Sequence, residues 1–191
     1  MAKRVLFVPT DPTPTVGTNV LTLADAKTWL RVDGTDEDDL ITDLISVAVN
    51  MVENECRTYL TPRAGSFQFS AFFDTHLPVG PLRSISDVTY LTTQEFTAYY
   101  ATEDATHPTP FIHFDSPPSL DTEIQYPINV NCTVGYDDIP PTLLQAVRWL
   151  LTAFYDQRQD FVVGTVAAKL PLTVMNLIAP YRNMYFSYAG G

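Results

Sequence analysis

The side chains able to do chemistry are few in this sequence. There are three histidines, two cysteines and a run of acids around residue 36. A nucleophile–base arrangement needs a histidine oriented by a carboxylate beside a serine or cysteine. His76, His107 and His113 all fall among prolines and short strand patterns, and none sits in a nucleophile-elbow motif. Asp33, Asp36, Asp38 and Asp39 invite comparison with a calcium loop. An EF-hand started at Asp33 requires Gly at its sixth place and Glu at its twelfth, and these hold Asp38 and Leu44. A solvated helix start, with carboxylates favoured by the helix dipole, accounts for the same residues. Cys56 and Cys132 are too few for a zinc site and give no disulfide framework. They fall on an apolar helix stripe and a strand, the positions of small core residues. No glycine-rich phosphate loop is present. The expectation is a chain with no catalytic, cofactor-binding or metal-binding residue, and no enzymatic role.

Charge narrows the partners. The chain has 191 residues with 22 acidic and 11 basic side chains, a formal net charge of -11. No Lys or Arg lies between Arg31 and Arg57, or between Arg83 and Arg148. A surface made from those stretches repels phosphate, which argues against direct grip on nucleic acid. Around a passing duplex such a wall would prevent sticking; the plainer alternative is an acidic face that confers solubility. No apolar run approaches the roughly 20 residues that cross a bilayer, and the basic Met1–Pro9 stretch is too short in its apolar part for a signal peptide. The expectation is a soluble protein made in a reducing cytosol, with no membrane partner.

The elements that must position these residues follow from periodicity. Residues 1–19 read as an arm interrupted by Pro9, Pro12, Pro14 and Gly17, ordered only by docking on a neighbour. Thr22 and Asp25 approximate a capping box, and Leu23, Ala26, Trp29 and Leu30 predict a helix over 23–31. A second helix, capped by Thr35 or Asp36, runs to about Leu60. Its apolar stripe is Leu40, Ile41, Leu44, Ile45, Ala48, Met51, Val52, Cys56 and Tyr59, and Thr61-Pro62 stops it. Between 63 and 138 the pattern turns to alternation, with strands at 66–73, around Ile85, Val88 and Tyr90, near 96–101 and 111–114, and at 124–126 continuing through 128–134 with Pro127 at an edge or bulge. Pro140-Pro141 opens a helix with Leu143, Leu144, Val147, Leu150, Leu151 and Phe154 inward, and Arg148, Gln157 and Arg158 toward solvent or a partner. A connector at 159–168 leads to a short helix at 172–179, ended by Pro180. The fold class is α+β: a small α-helical bundle (20–62 and 139–180) with an inserted antiparallel β subdomain (63–138) and extended N- and C-terminal arms (1–19 and 181–191).

The order of parts carries a resemblance. Leu21-Thr22-Leu23-Ala24-Asp25-Ala26-Lys27-Thr28-Trp29-Leu30-Arg31-Val32 precedes Asp36-Glu37-Asp38-Asp39-Leu40-Ile41. Cys56-Arg57-Thr58-Tyr59-Leu60 closes the long helix, and Leu77-Pro78-Val79-Gly80-Pro81-Leu82-Arg83-Ser84-Ile85 follows. A segment ending Val134-Gly135-Tyr136 leads to Ile139-Pro140-Pro141, then Phe154-Tyr155-Asp156-Gln157-Arg158, and finally Leu177-Ile178-Ala179-Pro180-Tyr181-Arg182. Over residues 20–182 this resembles the head–tail connector (adaptor, head-completion) proteins of tailed bacteriophages. Each motif alone is weak; their order and spacing are the specific part.

The resemblance implies a virion protein of the neck, assembled in the host cytoplasm. It implies a homo-oligomeric ring of twelve copies, bound to the portal protein, offering a platform to the stopper or tail and letting double-stranded DNA pass without specific binding. A head-to-tail interface closes into a ring when the rotation per copy allows. On this reading the aromatic tail binds the portal or a neighbour through Tyr181, Arg182, Tyr185, Phe186 and Tyr188, residue types common at interface hot spots. The acidic turn Asp36, Glu37, Asp38 and Asp39 lines the channel or lies between subunits. The alternatives are another neck component (a stopper or tail terminator, mostly β proteins) and a ligand- or carbohydrate-binding module using aromatics at 96–100 and 111–114.

Overall fold

A computed structural model describes residues 3–91, 94–103, 108–120, 123–156 and 171–184. It is α+β, as read from the sequence, and divides into two compact units. A β unit comprises Met1–Thr13, Arg57–Asp137 and Arg182–Gly191; a helical unit comprises Pro14–Cys56 and Asp138–Tyr181.

The helical unit holds α1 (Leu23–Leu30), α2 (Asp38–Cys56), α3 (Pro141–Asp156) and α4 (Leu172–Ile178), which runs into a 3-10 turn at Ala179–Tyr181. The expected cap forms at α1: Thr22 Oγ1 accepts from Asp25 N at 3.1 Å and donates to Asp25 Oδ2 at 2.7 Å. The helix ends one residue before expectation because Arg31 turns left-handed, at φ 58°. α2 is shorter than expected at both ends. Arg57 turns left-handed at φ 52° and ends it, and the hydroxyl of the next residue, Thr58, donates to the Gly80 carbonyl. The Thr61-Pro62 stop is never reached.

The inward face of α2 is Ile41, Ile45, Ala48, Val49, Val52 and Cys56, all fully buried. Leu40, expected on the stripe, is 38% exposed. Leu143, Ala146, Val147, Leu150 and Leu151 of α3 and Val174 and Ile178 of α4 complete this core. Each large aliphatic side chain so buried contributes roughly 1.5–3 kcal/mol. The expected connector at 159–168 lies outside the described residues.

The arm expectation is corrected here. Val5–Pro9 forms β1, paired antiparallel with β2 (Arg63–Phe69) in register Val5 to Phe69 and Pro9 to Gly65. Alternation supplies the reason. Phe7 points inward onto Phe67, ring centroids 4.9 Å apart, and onto Tyr59 at 6.0 Å. Gly65 leaves room, since a Cβ there would sit 2.5 Å from the Phe7 ring. Thr15 and Gly17, also in the expected arm, belong to the helical unit. Thr15 is buried and donates to both carboxylate oxygens of Glu53 on α2, at 2.8 and 2.9 Å. A Cβ on Gly17 would meet the Ser46 backbone at 2.7 Å.

The β unit contains a five-stranded antiparallel sheet ordered β1-β2-β8-β4-β5, with β4 at Leu82–Tyr90, β5 at Gln94–Glu95 and β8 at Ile128–Val134. A three-stranded sheet is ordered β3-β7-β6, from Thr75–His76, Phe111–Phe114 and Tyr99–Ala101. β2 begins and ends earlier than its expected 66–73 range. Phe72 and Phe73 lie beyond it and pack on Phe114 and Phe69, at 5.2 and 5.6 Å between centroids.

Candidate functional site

The acidic turn before and at the start of α2 does not form one patch. Asp36 and Asp39 are exposed, while Glu37 and Asp38 are half-buried. Lys27 Nζ of α1 donates to Asp38 Oδ1 at 2.5 Å, and the Tyr155 hydroxyl of α3 donates to Glu37 Oε2. Two of the four expected residues therefore hold the helical unit together, and two face out. Helical spacing of four residues places Asp39 and the exposed Asp43 on one side of α2, and the exposed Asp36 lies in the turn that leads into it. Leu40 (38% exposed) and Val47 (51% exposed) lie among them.

The expected tail is also divided. Tyr181 ends the 3-10 turn, half-buried, in the helical unit. Arg182 is half-buried in the β unit. Beyond it, Asn183 is 5% exposed and donates through Nδ2 to the Leu77 carbonyl at 3.0 Å, and Met184 N donates to Thr109 Oγ1 at 3.2 Å. The chain is thus fastened to itself through Met184. Tyr185, Phe186 and Tyr188 lie outside the described residues.

A third feature was not foreseen. The helical unit has a surface concavity of about 640 Å³ lined by Asp25, Thr28, Trp29 and Arg31 from α1 and its C-terminal cap, and Arg148 and Thr152 from α3. Trp29 Nε1 donates to Thr152 Oγ1 at 2.9 Å, which fixes the indole edge. The Arg148 guanidinium stands 5.7 Å from the Trp29 ring centroid, a cation–π distance. Arg148 Nε is buried and finds no hydrogen-bond acceptor among the described residues. Asp25, the carboxylate in the groove, already accepts from Thr22. Among the described residues neither Arg31 nor Arg148 forms an ion pair with a carboxylate. Trp29, one of the apolar residues whose spacing predicts α1, is 40% exposed. The available signal was a Trp with an Arg two residues on, both interface residue types.

The remaining reactive groups have structural surroundings. Burial pushes the Cys56 and Cys132 thiols each up to about 12, which keeps them protonated at neutral pH. His113 Nδ1 lies 2.7 Å from Asp74 Oδ2, and Asp74 Oδ1 accepts from Phe114 N at 3.1 Å. This contact fastens the 71–74 turn to β7. His76 stacks edge-on with Phe111 at 5.2 Å, and His107 is outside the described residues. Among the described residues no three of His, Cys, Asp and Glu gather to hold a metal ion, and no helix is long and apolar enough to cross a membrane. Of the aromatics suggested for a ligand module, Phe96 and Phe114 pack with Phe72 and Tyr90, at centroid distances from 5.0 to 6.5 Å. Tyr100 alone among residues 96–100 and 111–114 is an exposed aromatic, at 68%.

Helices α1 and α2, β2 to β6 and their connections fall in a stretch with a known counterpart. Residues 20–104 match the family model described as Phage gp6-like head-tail connector protein, so the resemblance read from the sequence is borne out over that stretch. The fold as a whole is similar to that of a chain from the neck of an empty gene transfer agent (GTA) particle with C6 symmetry: TM-score 0.71, 19% identity, covering 97% of this chain and 98% of that one. It is also similar to a chain of the neck of the native GTA particle with C12 symmetry, TM-score 0.68 at 18% identity, and to one from the virion of the native particle, TM-score 0.68 at 20% identity. Both cover 97% of this chain and 98% of theirs. No curated protein sequence matches the chain.

Proposed function

We propose that this protein is a structural component of the neck of a tailed-phage-like particle, a ring adaptor between the portal and the stopper or tail. The observation that carries the reading is the connector-family match over residues 20–104, within a fold that follows neck chains over 97% of its length. The C6 and C12 symmetry of those neck particles supports a closed ring of copies, twelve in the reading adopted here. The chain acts by packing and not by catalysis. With a net charge of -11, it lets duplex DNA pass without gripping it. It works in the virion neck after assembly in the host cytoplasm.

The aromatic tail is the portal-docking element in this reading, with Tyr181, Arg182, Tyr185, Phe186 and Tyr188 as anchors. Because Asn183 and Met184 are fastened to the β unit of the same chain, the reach toward the portal starts at residue 185. Asp36 and Asp39 are the members of the acidic turn that remain available to a channel or a neighbour.

The test is the mass of the species formed when the full chain meets a purified portal ring. A stable complex carrying a ring of copies is expected, and a chain deleted from residue 185 onward should fold normally yet fail to join the portal. A full chain that stays monomeric and unbound beside its portal overturns the adaptor reading. Undiminished binding by the deleted chain removes the tail from it.

A further inference from the structure

We propose that the Trp29–Arg31–Arg148 groove of one copy receives the outer face of α2 from the next copy, with Asp36, Asp39 and Asp43 opposite the two arginines and Leu40 and Val47 against the indole. The proposal rests on the ring reading above and names the surfaces that build it.

A ring needs two different surfaces on each protomer, one fitting the other. The helical unit carries such a pair. One surface is concave and cationic. Its lining holds two arginines without a carboxylate partner and a Trp whose indole is fixed by Thr152. The other is the exposed side of α2 with the turn before it, which presents Asp39 and Asp43 beside the exposed Leu40 and Val47, and Asp36 from the turn. Charge complementarity selects this occupant. Of the described cations in the helical unit, Lys27 is engaged by Asp38, which leaves Arg31 and Arg148 facing the groove. A concave cationic surface on so acidic a chain meets carboxylates wherever it meets another copy. The apolar content agrees as well: Leu40 and Val47 have no place in a purely solvated acidic face, and a half-exposed indole is the contact they lack.

Two complementary variants of the full chain test this. Arg31→Glu with Arg148→Glu spoils the groove and leaves the α2 face intact. Asp39→Lys with Asp43→Lys spoils the face and leaves the groove. Sedimentation across a range of chain concentrations should show wild-type chain assembling beyond dimers. Each variant alone should lose self-association by about a hundredfold or more, since like charges brought together at an interface cost several kcal/mol and each 1.4 kcal/mol is tenfold. An equimolar mixture of the two should recover assembly, because the intact face of one variant fits the intact groove of the other and the reversed groove meets the reversed face with opposite charges. That recovery also shows that both variants fold. Assembly of both variants as tightly as wild type overturns this interface while leaving the ring in place. Wild-type chain that stays monomeric throughout overturns the ring itself.

Discussion

In the β unit, three cations are taken up by partners of the same unit. Arg63 lies over the Tyr59 ring at 4.6 Å and donates to the Asp11 and Thr13 carbonyls, Arg83 pairs with Asp137, and Lys3 stands over Phe73 at 5.7 Å. In the helical unit, Arg31 and Arg148 line a groove and form no ion pair with its carboxylate, Asp25, while Asp39 and Asp43 are exposed on α2 and Asp36 in the turn before it. Tyr100 aside, the largest aromatic side chains follow the same contrast. Phe67, Phe69 and Phe114 of the β unit are buried, at 4% exposure or less, whereas Trp29 and Trp149 of the helical unit are 40% and 38% exposed. Side chains that satisfy one another within a chain serve its stability. Side chains of the same types left unmatched on a surface serve association, because burying them unpaired would cost more than it returns. The contrast assigns stability to one set of aromatics and arginines and assembly to the other.

The most forceful way to break that contrast is to truncate one aromatic from each set. Phe69 has no exposed surface, and its ring meets Phe73 and Phe114 edge-on at 5.6 and 5.5 Å. Phe69→Ala leaves a cavity and should cost about 3–5 kcal/mol in urea unfolding of the full chain. Trp29→Ala removes a ring that already touches water and should cost about 1 kcal/mol, the worth of one hydrogen bond and a weak cation–π contact. Equal losses for the two would erase the distinction.

A smaller effect sharpens it, because the helical unit also has one inward carboxylate. Glu53 is 6% exposed on α2 and takes the Thr15 hydroxyl on both oxygens, at 2.8 and 2.9 Å. Thr15→Val keeps the shape and deletes that donor. A hydrogen bond to a charged group contributes about 1.5–3 kcal/mol, so the variant should lose about that much stability while its self-association at folding conditions stays unchanged. If ring assembly fell in step with stability, Glu53 would belong with the outward acids and the division between the two sets would need redrawing.

The same contrast explains what was legible in the sequence. Helices α1 to α4 and strands β2, β4 and β8 follow from local period and punctuation, so Thr22, Pro141 and the Ile41–Ile45–Ala48–Val52 stripe predicted them. β1 was missed because its partner, β2, is some sixty residues away and only the pairing itself buries Phe7. The end of α2 was misplaced because Arg57 adopts a left-handed turn that only tertiary contacts, Thr58 with Gly80 among them, can hold. At the candidate site the acidic turn and the tail were visible as composition. That Glu37 and Asp38 are spent on Tyr155 and Lys27 was not, since both partners come from other helices. The exposure of Trp29 was not legible, because helical spacing gives a direction but not what covers it. Arg148, read as outward, does face a surface, but one shaped by α1.

The finest test concerns Asp74, a charge the β unit satisfies at its own surface. Burial pushes the Asp74 carboxyl upward, but hydrogen bonds from Phe114 N and the His113 ring, with the nearby positive charge of Lys3, outweigh it and leave the group below its ordinary 3.8. A carboxyl depressed in the folded state stabilises the fold above its unfolded pKa and loses that contribution as pH falls through the lower folded value. The window is therefore acidic, from about pH 4 downward. Asp74→Asn keeps an oxygen to accept from Phe114 N, removes the charge and puts an amide NH2 where Oδ2 meets the His113 ring. Thermal midpoints of wild type and variant should converge at the acid end and separate as pH rises toward about 5, then stay parallel. The separation should be small, because both side chains of the pair are 46% exposed and solvent screens them. Added salt should shrink it further. A constant offset across the acid range would mean that the carboxylate charge contributes nothing, and that the turn at 71–74 is held by shape alone.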